Sequence, residues 1–440
     1  MKNELEDRVF LKMYMKQNLG DDLFLRVLLQ RYPEAHFFMY ASPGDCRGFL
    51  PCRNLIVRKP PITRIRAKLG RKRGADLEAS RSKATLLLGG SMFVEPFQPK
   101  LRNDLWKEGL PFFVLGVSYG PAATEEYKET CRAFFRGKTD ICFRDRASYK
   151  LFKENPAARV ETDIIFGMRP EELLGKRAGE SAGKRADGFE EMRAGELAGK
   201  PGGLFVSVID YRTRWVTAVE GMGEEERQEY LGEFLPAFQE RFFGQNLPDA
   251  AGMDRSEEKS CFTPGVLLEQ KLLREVLDTL DRGEPVVLAS FCDTHGDWKA
   301  VCRLLKDIES AGPERFAGWR KDRLLKVYRY RGEERQERVI LREMATADRV
   351  IGGRYHSLVL GLLFGRPVLP ICYDLKSENL LDDLGMGEKA VRLLYADDRV
   401  DLSEQSGGYV QLSPEKLEEL RESAKRQFAR LDEYFRSGHT

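Results

Sequence analysis

The feature that most constrains the fold is an alternation of short apolar runs with helical segments, which occurs in two separate series. The first series contains RVFLKMY at 8–14 and then NLIVR, ATLLLGG, FFVLGVSYGP and DICFRD. The second contains GLFVSVIDY at 203–211 and then PVVLASF, LLKVYRY, ADRVIGG and PVLPICY. Apolar runs that end at Gly, polar or charged residues and alternate with helices are typical of parallel sheets covered by helices. The sequence therefore predicts two Rossmann-like α/β domains.

Composition changes abruptly after Met168 and sets the expected domain limits. The stretch LLGKRAGESAGKRADGFEEMRAGELAGKPGG repeats AGE and AGK and has almost no aromatic residues. Such a segment buries too little apolar surface to offset its ordering entropy. We predict an N-terminal α/β domain over 1–168, a charged Gly/Ala-rich linker or insertion over 169–203, and a C-terminal α/β domain over 204–412. A long C-terminal helix is expected over 413–440, packed on a domain surface or crossing back to the first domain.

Bulk properties argue against several classes of partner. The chain has 72 Lys and Arg against 70 Asp and Glu, so its net charge of +2 supplies no global field for nucleic acid. The N-terminus carries early acidic residues, unlike a signal peptide, and no apolar run approaches the ~18 residues of a membrane span. Eight scattered cysteines without a CxxC motif predict buried thiols. A cytoplasmic protein is the expectation.

Charged and polar residues interrupt the apolar stretch at 352–376, GGRYHSLVLGLLFGRPVLPICYDLK. Its pattern predicts a strand ending at a Gly pair, a buried helix and a second strand. Arg354 and His356 then lie at the start of the helix, where unpaired backbone N–H groups favour an anion. Arg354 adds a planar cation suited to carboxylate or phosphate, and His356 adds a group that exchanges protons near neutral pH. Lys376 follows the next strand on the same rim.

A purely structural interpretation of the same three residues is also open. His356 is then a hydrogen-bonded core histidine, Arg354 pairs with Asp348 or Asp374, and Lys376 is solvated. The glycines before Arg354 favour the anion site slightly, because glycine lets a ligand approach the backbone closely.

Other candidates for substrate binding follow predicted strands at the same type of junction, where ligands of parallel α/β proteins bind. Glycines there permit close approach, and arginines supply further positive charge. These candidates are Arg212 and Arg214 in VIDYRTR, Asn18, Gly20 and Asp21 in NLGDD, Gly89, Gly90 and Ser91 in LLLGGS, and Arg144 in FRDRAS.

Each of these candidates has a simpler alternative. Exposed arginines after a strand, such as the two of VIDYRTR, are usually solvated. Asp21 is equally well explained as an acid at a helix N-terminus. For Arg144, the alternative is a purely structural salt bridge with Asp145. The acids and histidine of CDTHGDW, at 292–298, lack a further ligand, so we predict that no metal binds there.

Several segments together are similar to one known family. RYHSLVLGLLFGRPVLPICYDLKSENLLDDLGM resembles the C-terminal signature of the polysaccharide pyruvyl transferase family, with its Arg-x-His, Gly-x-Pro-Val and Tyr-Asp-x-Lys elements. NLGDDLFL, LLLGGS, GVSYGP and FRDRASYKLF follow the order of other family landmarks. MFVEP after GGS departs from the family pattern, and the AGE/AGK stretch has no counterpart in it.

The resemblance implies a glycosyltransferase-B-like fold, with two Rossmann-like domains facing a cleft. It implies transfer of a pyruvyl group from phosphoenolpyruvate, as donor substrate and without a cofactor, to two hydroxyls of a sugar. It places His356 as general acid or base, Arg354 on the phosphate or carboxylate, and Tyr373 and Lys376 of YDLK at the substrate. The implied acceptor is lipid-linked or polymeric, with peripheral association at membrane-bound polysaccharide machinery.

Two other functions remain compatible with the sequence. A sugar-nucleotide-dependent glycosyltransferase would use the same two-domain architecture, since fold does not decide chemistry. A non-catalytic glycan-binding relative would keep the cleft without the reaction.

Overall fold

The computed structural model describes residues 8–59, 82–95, 110–120, 124–174, 202–243 and 263–437. The expected linker or insertion over 169–203 lies largely outside these ranges, from residue 175 to residue 201. Its predicted character therefore stays a prediction.

The N-terminal domain is built on a parallel sheet of seven strands in the order β3-β2-β1-β4-β5-β6-β7. Its apolar strands are almost entirely buried, as expected for a sheet covered on both faces. The strands are β1 (Arg8–Lys12), β2 (His36–Tyr40), β3 (Leu55–Arg58), β4 (Ala84–Phe93), β5 (Phe112–Tyr119), β6 (Asp140–Phe143) and β7 (Ala158–Val160).

The C-terminal domain repeats this plan with a parallel sheet of six strands in the order β10-β9-β8-β11-β12-β13. Short β-branched and leucine-rich runs again form the buried strands. These strands are β8 (Leu204–Ser207), β9 (Val286–Ser290), β10 (Leu325–Arg329), β11 (Arg349–Gly352), β12 (Val368–Cys372) and β13 (Val391–Arg392).

Helices connect the strands and cover both sheets. In the N-terminal domain they are α1 (Leu19–Arg31), α2 (Glu125–Phe135), α3 (Arg146–Phe152) and α4 (Pro170–Leu173). In the C-terminal domain they are α5 (Tyr211–Glu220), α6 (Glu224–Glu229), α7 (Leu235–Phe243), α8 (Pro264–Asp281), α9 (Asp297–Ala311), α10 (Pro313–Lys321), α11 (Glu334–Thr346), α12 (Tyr355–Leu363) and α13 (Leu375–Asp383). Within the described ranges, none of the helices is sufficiently long and apolar for a membrane crossing.

Each sheet reverses its strand order at one point, between β1 and β4 in the first sheet and between β8 and β11 in the second. Ligands of such sheets bind beyond the carboxyl ends of the strands at this reversal. The two reversals face a common cleft, which confirms the predicted architecture of two Rossmann-like domains.

Direct contacts join the two domains on the floor of the cleft. The backbone N–H of Leu19 at the start of α1 donates to the carbonyl of Phe291 after β9, at 3.0 Å. Deeper, the Tyr330 hydroxyl donates to Asp22 Oδ2 at 2.5 Å, and one apolar core runs from α1 into α12. Residues on the two cleft walls are therefore held at a fixed spacing.

The C-terminal segment differs from the single long helix expected over 413–440. It forms two helices, α14 (Pro414–Arg426) and α15 (Ala429–Arg436), and residues 438–440 lie outside the described ranges. The break lies at Gln427, whose buried amide accepts from the Gly116 N–H at 3.1 Å and donates to the Thr162 carbonyl at 3.0 Å. The segment thus crosses back to the N-terminal domain and packs beside β5 and the loop after β7.

Candidate active site

A cavity of about 620 Å³ lies between the two domains at the carboxyl ends of their strands. Most of the candidates from the sequence line it, and they come from both sides of the cleft. Those lining the cavity are Asn18, Asp21, Gly90, Ser91, Arg144, Arg214, Arg354, His356, Tyr373 and Lys376.

His356 lies in the first turn of α12 and reaches the N-terminal domain. Its ring packs edge-to-face on Phe24 of α1, with centroids 5.1 Å apart, and it is only 8% exposed. Among the residues that the structure describes, none forms a hydrogen bond with Nε2, which lies 3.9 Å from Asp163 Oδ2. A buried polar atom without a partner is unusual, and in a cavity it points to a ligand.

The His356 imidazole is neutral in the free protein. Burial lowers its pKa well below the usual 6.5, and the positive charges of Arg144 and Lys376 lower it further. Arg354, two residues before His356, is not one of these charges, and it already carries a carboxylate partner.

That partner is Asp297, the first residue of α9, rather than Asp348 or Asp374. Arg354 Nε donates to Asp297 Oδ2 at 2.9 Å, and Nη2 donates to Oδ1, so the pair is bidentate. The Asp297 side chain is fully buried. The remaining nitrogen, Nη1, donates to the Tyr373 hydroxyl at 3.2 Å on the cavity wall. Asp297 therefore fixes one edge of the Arg354 guanidinium, and the other edge is directed toward the cavity.

Three cations surround the ring of Tyr373. The centroid lies 5.1 Å from the Arg214 guanidinium carbon, 5.6 Å from Lys376 Nζ and 5.9 Å from the Arg354 guanidinium carbon. Lys376 also pairs with Asp374 at 2.9 Å. Among the described residues, Arg214 has no carboxylate partner, and its buried Nε lacks a hydrogen bond. Arg214 is thus the cation that is most available to a bound anion.

Arg144 brings a further positive charge from the N-terminal domain. Its Nη1 donates to Asp163 Oδ2 at 3.1 Å, and its Nε donates to Ser118 Oγ at 2.8 Å. Its guanidinium lies 4.0 Å from the Tyr355 ring centroid across the domain boundary. The expected alternative, a bridge to Asp145, is not what the structure has, because Asp145 caps α3 through the Ser148 N–H.

Three of the candidates are not brought to the cavity. Arg212 pairs with Glu269 at 2.7 Å on the surface of the second domain. Gly20 packs against the ring of His356, and Gly89 packs against Phe24. Gly89 and Gly90 also lie inside β4, not in a loop after it, because two positive φ angles and a register shift let the strand continue to Phe93.

The contact at Gly20 gives a direct prediction. A Cβ added there would lie 1.7 Å from His356 Nδ1, so Gly20→Ala must displace the imidazole. We expect a destabilisation of about 1–3 kcal/mol in the free energy of unfolding, as for other overpacked sites, together with lost activity. Gly44→Ala is the control, since its Cβ would meet only Ser42 Oγ at 3.7 Å. Equal denaturation midpoints for the two variants would contradict this geometry.

The sequence did not identify several residues of the site. Asp163 follows β7, and the same strand-end rule would have indicated it. His295 lines the cavity with Nδ1 3.4 Å from Arg354 Nη1, while Tyr14 stacks on its other side. Burial, and then the charges of Arg354, Arg214 and Lys376, lower the pKa of His295 to about 3.

The acids around His295 serve as partners of arginines. Asp293 pairs with Arg329, and Asp297 with Arg354. Within the described ranges, no group of three or more His, Cys, Asp or Glu is arranged around a common metal position.

Comparison with known families decides the relationship. The model of the family described as polysaccharide pyruvyl transferase matches residues 18–201 and 242–374. The chain belongs to the polysaccharide pyruvyl transferase family. The match includes Asp21, Arg144, Arg354, His356 and Tyr373, and so covers both walls of the cavity. Arg214 and Lys376 lie outside the matched ranges. A search of curated protein sequences finds no match.

Solved structures of low sequence identity are similar in part to this member of the family. The α,α-trehalose-phosphate synthase of Burkholderia vietnamiensis has a TM-score of 0.45 and 9% identity over 99% of this chain and 98% of its own. A glycosyltransferase of Rickettsia africae has a TM-score of 0.42 and 7% identity over 96% and 94%. Anabaena HepE, in complex with UDP and glucose, has a TM-score of 0.38 and 11% identity over 82% and 79%.

Proposed function

We propose that the protein transfers a pyruvyl group from phosphoenolpyruvate to two hydroxyls of a sugar and releases phosphate. The acceptor is a unit of a cell-surface or exopolysaccharide, or of its lipid-linked precursor. One observation carries the proposal: a neutral imidazole nitrogen, without a partner among the described residues, lies in a cavity that also holds the cationic side chains of Arg144, Arg214, Arg354 and Lys376. A small anion that must be protonated on carbon fits this combination.

The reaction assigns a role to each part of the cavity. Arg354 and Arg214 bind the carboxylate and phosphate of the donor, and Lys376 and Arg144 add positive charge. Bound negative charge raises the pKa of His356, which then becomes protonated and gives its proton to the methylene carbon. Burial and the nearby cations therefore keep the imidazole neutral until the donor binds.

The bonds broken and formed in this pyruvyl transfer balance without a cofactor. Protonation of the methylene carbon breaks the C=C π bond, makes a methyl group and leaves the central carbon oxocarbenium-like. A sugar hydroxyl oxygen bonds to that carbon. The C–O bond to phosphate then breaks with its electron pair on phosphate, and a second hydroxyl closes the ketal. Of the two hydroxyl protons, one passes to the protein, which has given one proton from His356, and the other leaves with phosphate.

The cavity surface also supports a sugar acceptor. Apolar residues including Met92, Met222, Leu394 and Tyr395 also line the cavity. An aromatic ring and apolar side chains suit the apolar face of a sugar ring. We place the reaction in the cytoplasm, in peripheral contact with membrane-bound polysaccharide machinery.

Donor competition tests this function. The protein is incubated with phosphoenolpyruvate, a panel of nucleotide sugars and lipid-linked acceptors. The released phosphate and the released nucleoside diphosphate are then measured separately. Acceptor-dependent phosphate release is expected. Release of a nucleoside diphosphate without release of phosphate would show instead that the protein is a sugar-nucleotide-dependent glycosyltransferase. Acceptor binding without either product would indicate a non-catalytic glycan-binding protein.

A further inference from the structure

Asp21 is a buried carboxylate on the wall of the cavity. It lies in the first turn of α1, lines the cavity, and is 7% exposed. Within the described ranges, no group donates a hydrogen bond to its carboxylate. Buried carboxylates normally accept several such bonds, so this one is arranged for a donor that is brought by a ligand.

The position of Asp21 is fixed on two sides. Its neighbour Gly20 contacts the His356 ring, and its Oδ1 would lie 3.1 Å from a Cβ built on Gly90 of β4. The carboxylate therefore lies beside the irregular part of β4, and the residue before it in the chain contacts the imidazole of His356. A sugar hydroxyl that approaches a donor held beside His356 would meet this carboxylate.

Charged and titratable groups face Asp21 from several elements. Burial is the largest influence and raises the pKa of Asp21 to about 6, while three of the surrounding cations oppose this rise. The neighbours are Tyr14 after β1, Asp22 in α1, Arg144 after β6, Asp163 after β7, Cys292 after β9, Arg354 before α12 and Lys376 in α13. A carboxylate with such a pKa is a suitable proton acceptor near neutral pH.

We propose, on the basis of the function above, that Asp21 is the general base that takes the proton of the first attacking sugar hydroxyl. The hydroxyl oxygen bonds to the central carbon of the donor as its O–H bond breaks, and the proton moves to Asp21. His356 has given one proton to the methylene carbon, so the protein loses one proton and gains one. The proton of the second hydroxyl leaves with phosphate. Asp21 and His356 thus form an acid–base pair that spans the two domains.

Asp21→Asn tests this role with little change in shape. We expect kcat to fall by about 10²–10⁴-fold, the usual contribution of a general base, while phosphoenolpyruvate binds at least as tightly because a negative charge is lost. Asp22→Asn is the matched control. That neighbouring carboxyl accepts a hydrogen bond from the Tyr330 hydroxyl outside the cavity, and the side-chain oxygen of asparagine can accept the same bond, so the contact between the domains is kept. Its replacement should leave kcat unchanged.

The pH dependence separates base catalysis from simple hydrogen bonding. The donor phosphate titrates near the same pH as Asp21, so the ratio of wild-type to Asp21→Asn kcat/KM is the useful quantity. A pKa of about 6 predicts that this ratio rises about tenfold from about pH 5 to about pH 7. A constant ratio would show that Asp21 only binds the hydroxyl and would overturn the inference.

Failure of the inference is distinguishable from failure of the proposed function. If the wild type releases phosphate with an acceptor and Asp21→Asn stays within about tenfold of it, the base assignment is overturned and the function stands. If the wild type consumes no phosphoenolpyruvate with any acceptor, the function and the base assignment are both overturned.

Discussion

His356→Gln is expected to lower kcat/KM for phosphoenolpyruvate by about 10²–10⁴-fold, because it removes the group that protonates the methylene carbon. Glutamine keeps a polar side chain against Phe24 and Gly20, so the fold should persist. Circular dichroism and phosphate release, measured on one preparation, separate loss of the reaction from loss of structure. His36→Gln is the control, since that residue lies on β2, far along the chain from the RYHS motif.

The same variant has a second, independent consequence for stability. The pKa of His356 is lowered in the folded protein, so the unfolded chain binds more protons between that lowered value and about 6.5. Stability contributed by the neutral imidazole is therefore present above about pH 6.5 and is lost as pH falls. His356→Gln should weaken this acid-side decline in the free energy of unfolding. Unchanged activity would contradict the role of His356 as proton donor. An unchanged pH profile of stability would contradict a buried neutral histidine.

Arg354 should show the largest combined effect on stability and activity. Arg354→Ala leaves the fully buried Asp297 carboxylate without its partner, and breaking such a pair costs about 3–5 kcal/mol. Arg354→Lys keeps the charge but loses the bidentate geometry, so kcat/KM should still fall by about 10- to 100-fold. Denaturant titration and donor affinity are the two measurements.

A double variant separates the two roles of Arg354. In Arg354→Met/Asp297→Leu both charges are replaced by apolar groups, which often restores stability at such sites. The double variant should recover most of the lost free energy of unfolding yet bind phosphoenolpyruvate no better than Arg354→Ala. Recovery of donor binding would show that Arg354 only holds Asp297 in place and does not contact the donor.

Strand ends were the part of the site that the sequence could predict. Carboxyl ends of parallel strands meet at one edge of a sheet, so Asp21 and Arg144 could be assigned to the rim of the first sheet, and Arg354 to the rim of the second, before their positions were known. The alternation of apolar runs and helical segments likewise predicted the two parallel sheets. The break at Gln427 was missed because its buried amide bonds backbone groups hundreds of residues away, and no local pattern encodes that contact.

The sequence could not predict which charged side chains pair with each other across the fold. Asp297 and Asp163 are distant in the chain from Arg354 and His356, so the pairing of each charge depends on the packing of two domains. Gly20 was assigned to ligand approach because glycine permits it, whereas the close neighbour is an imidazole of the other domain. Arg212 and Arg214 are indistinguishable by position after a strand, and only helix orientation separates them.

The central claim is transfer of a pyruvyl group to a sugar, and labelled donor tests it most directly. The protein is incubated with phosphoenolpyruvate carrying ¹³C at its central carbon and with lipid-linked sugars, and the acceptor is then examined by mass spectrometry and ¹³C NMR. The account predicts one added pyruvyl group, a labelled ketal carbon bonded to two sugar oxygens, and one phosphate released per acceptor. Unlabelled acceptor with intact phosphoenolpyruvate, or a hexose added from a nucleotide sugar instead, would contradict it.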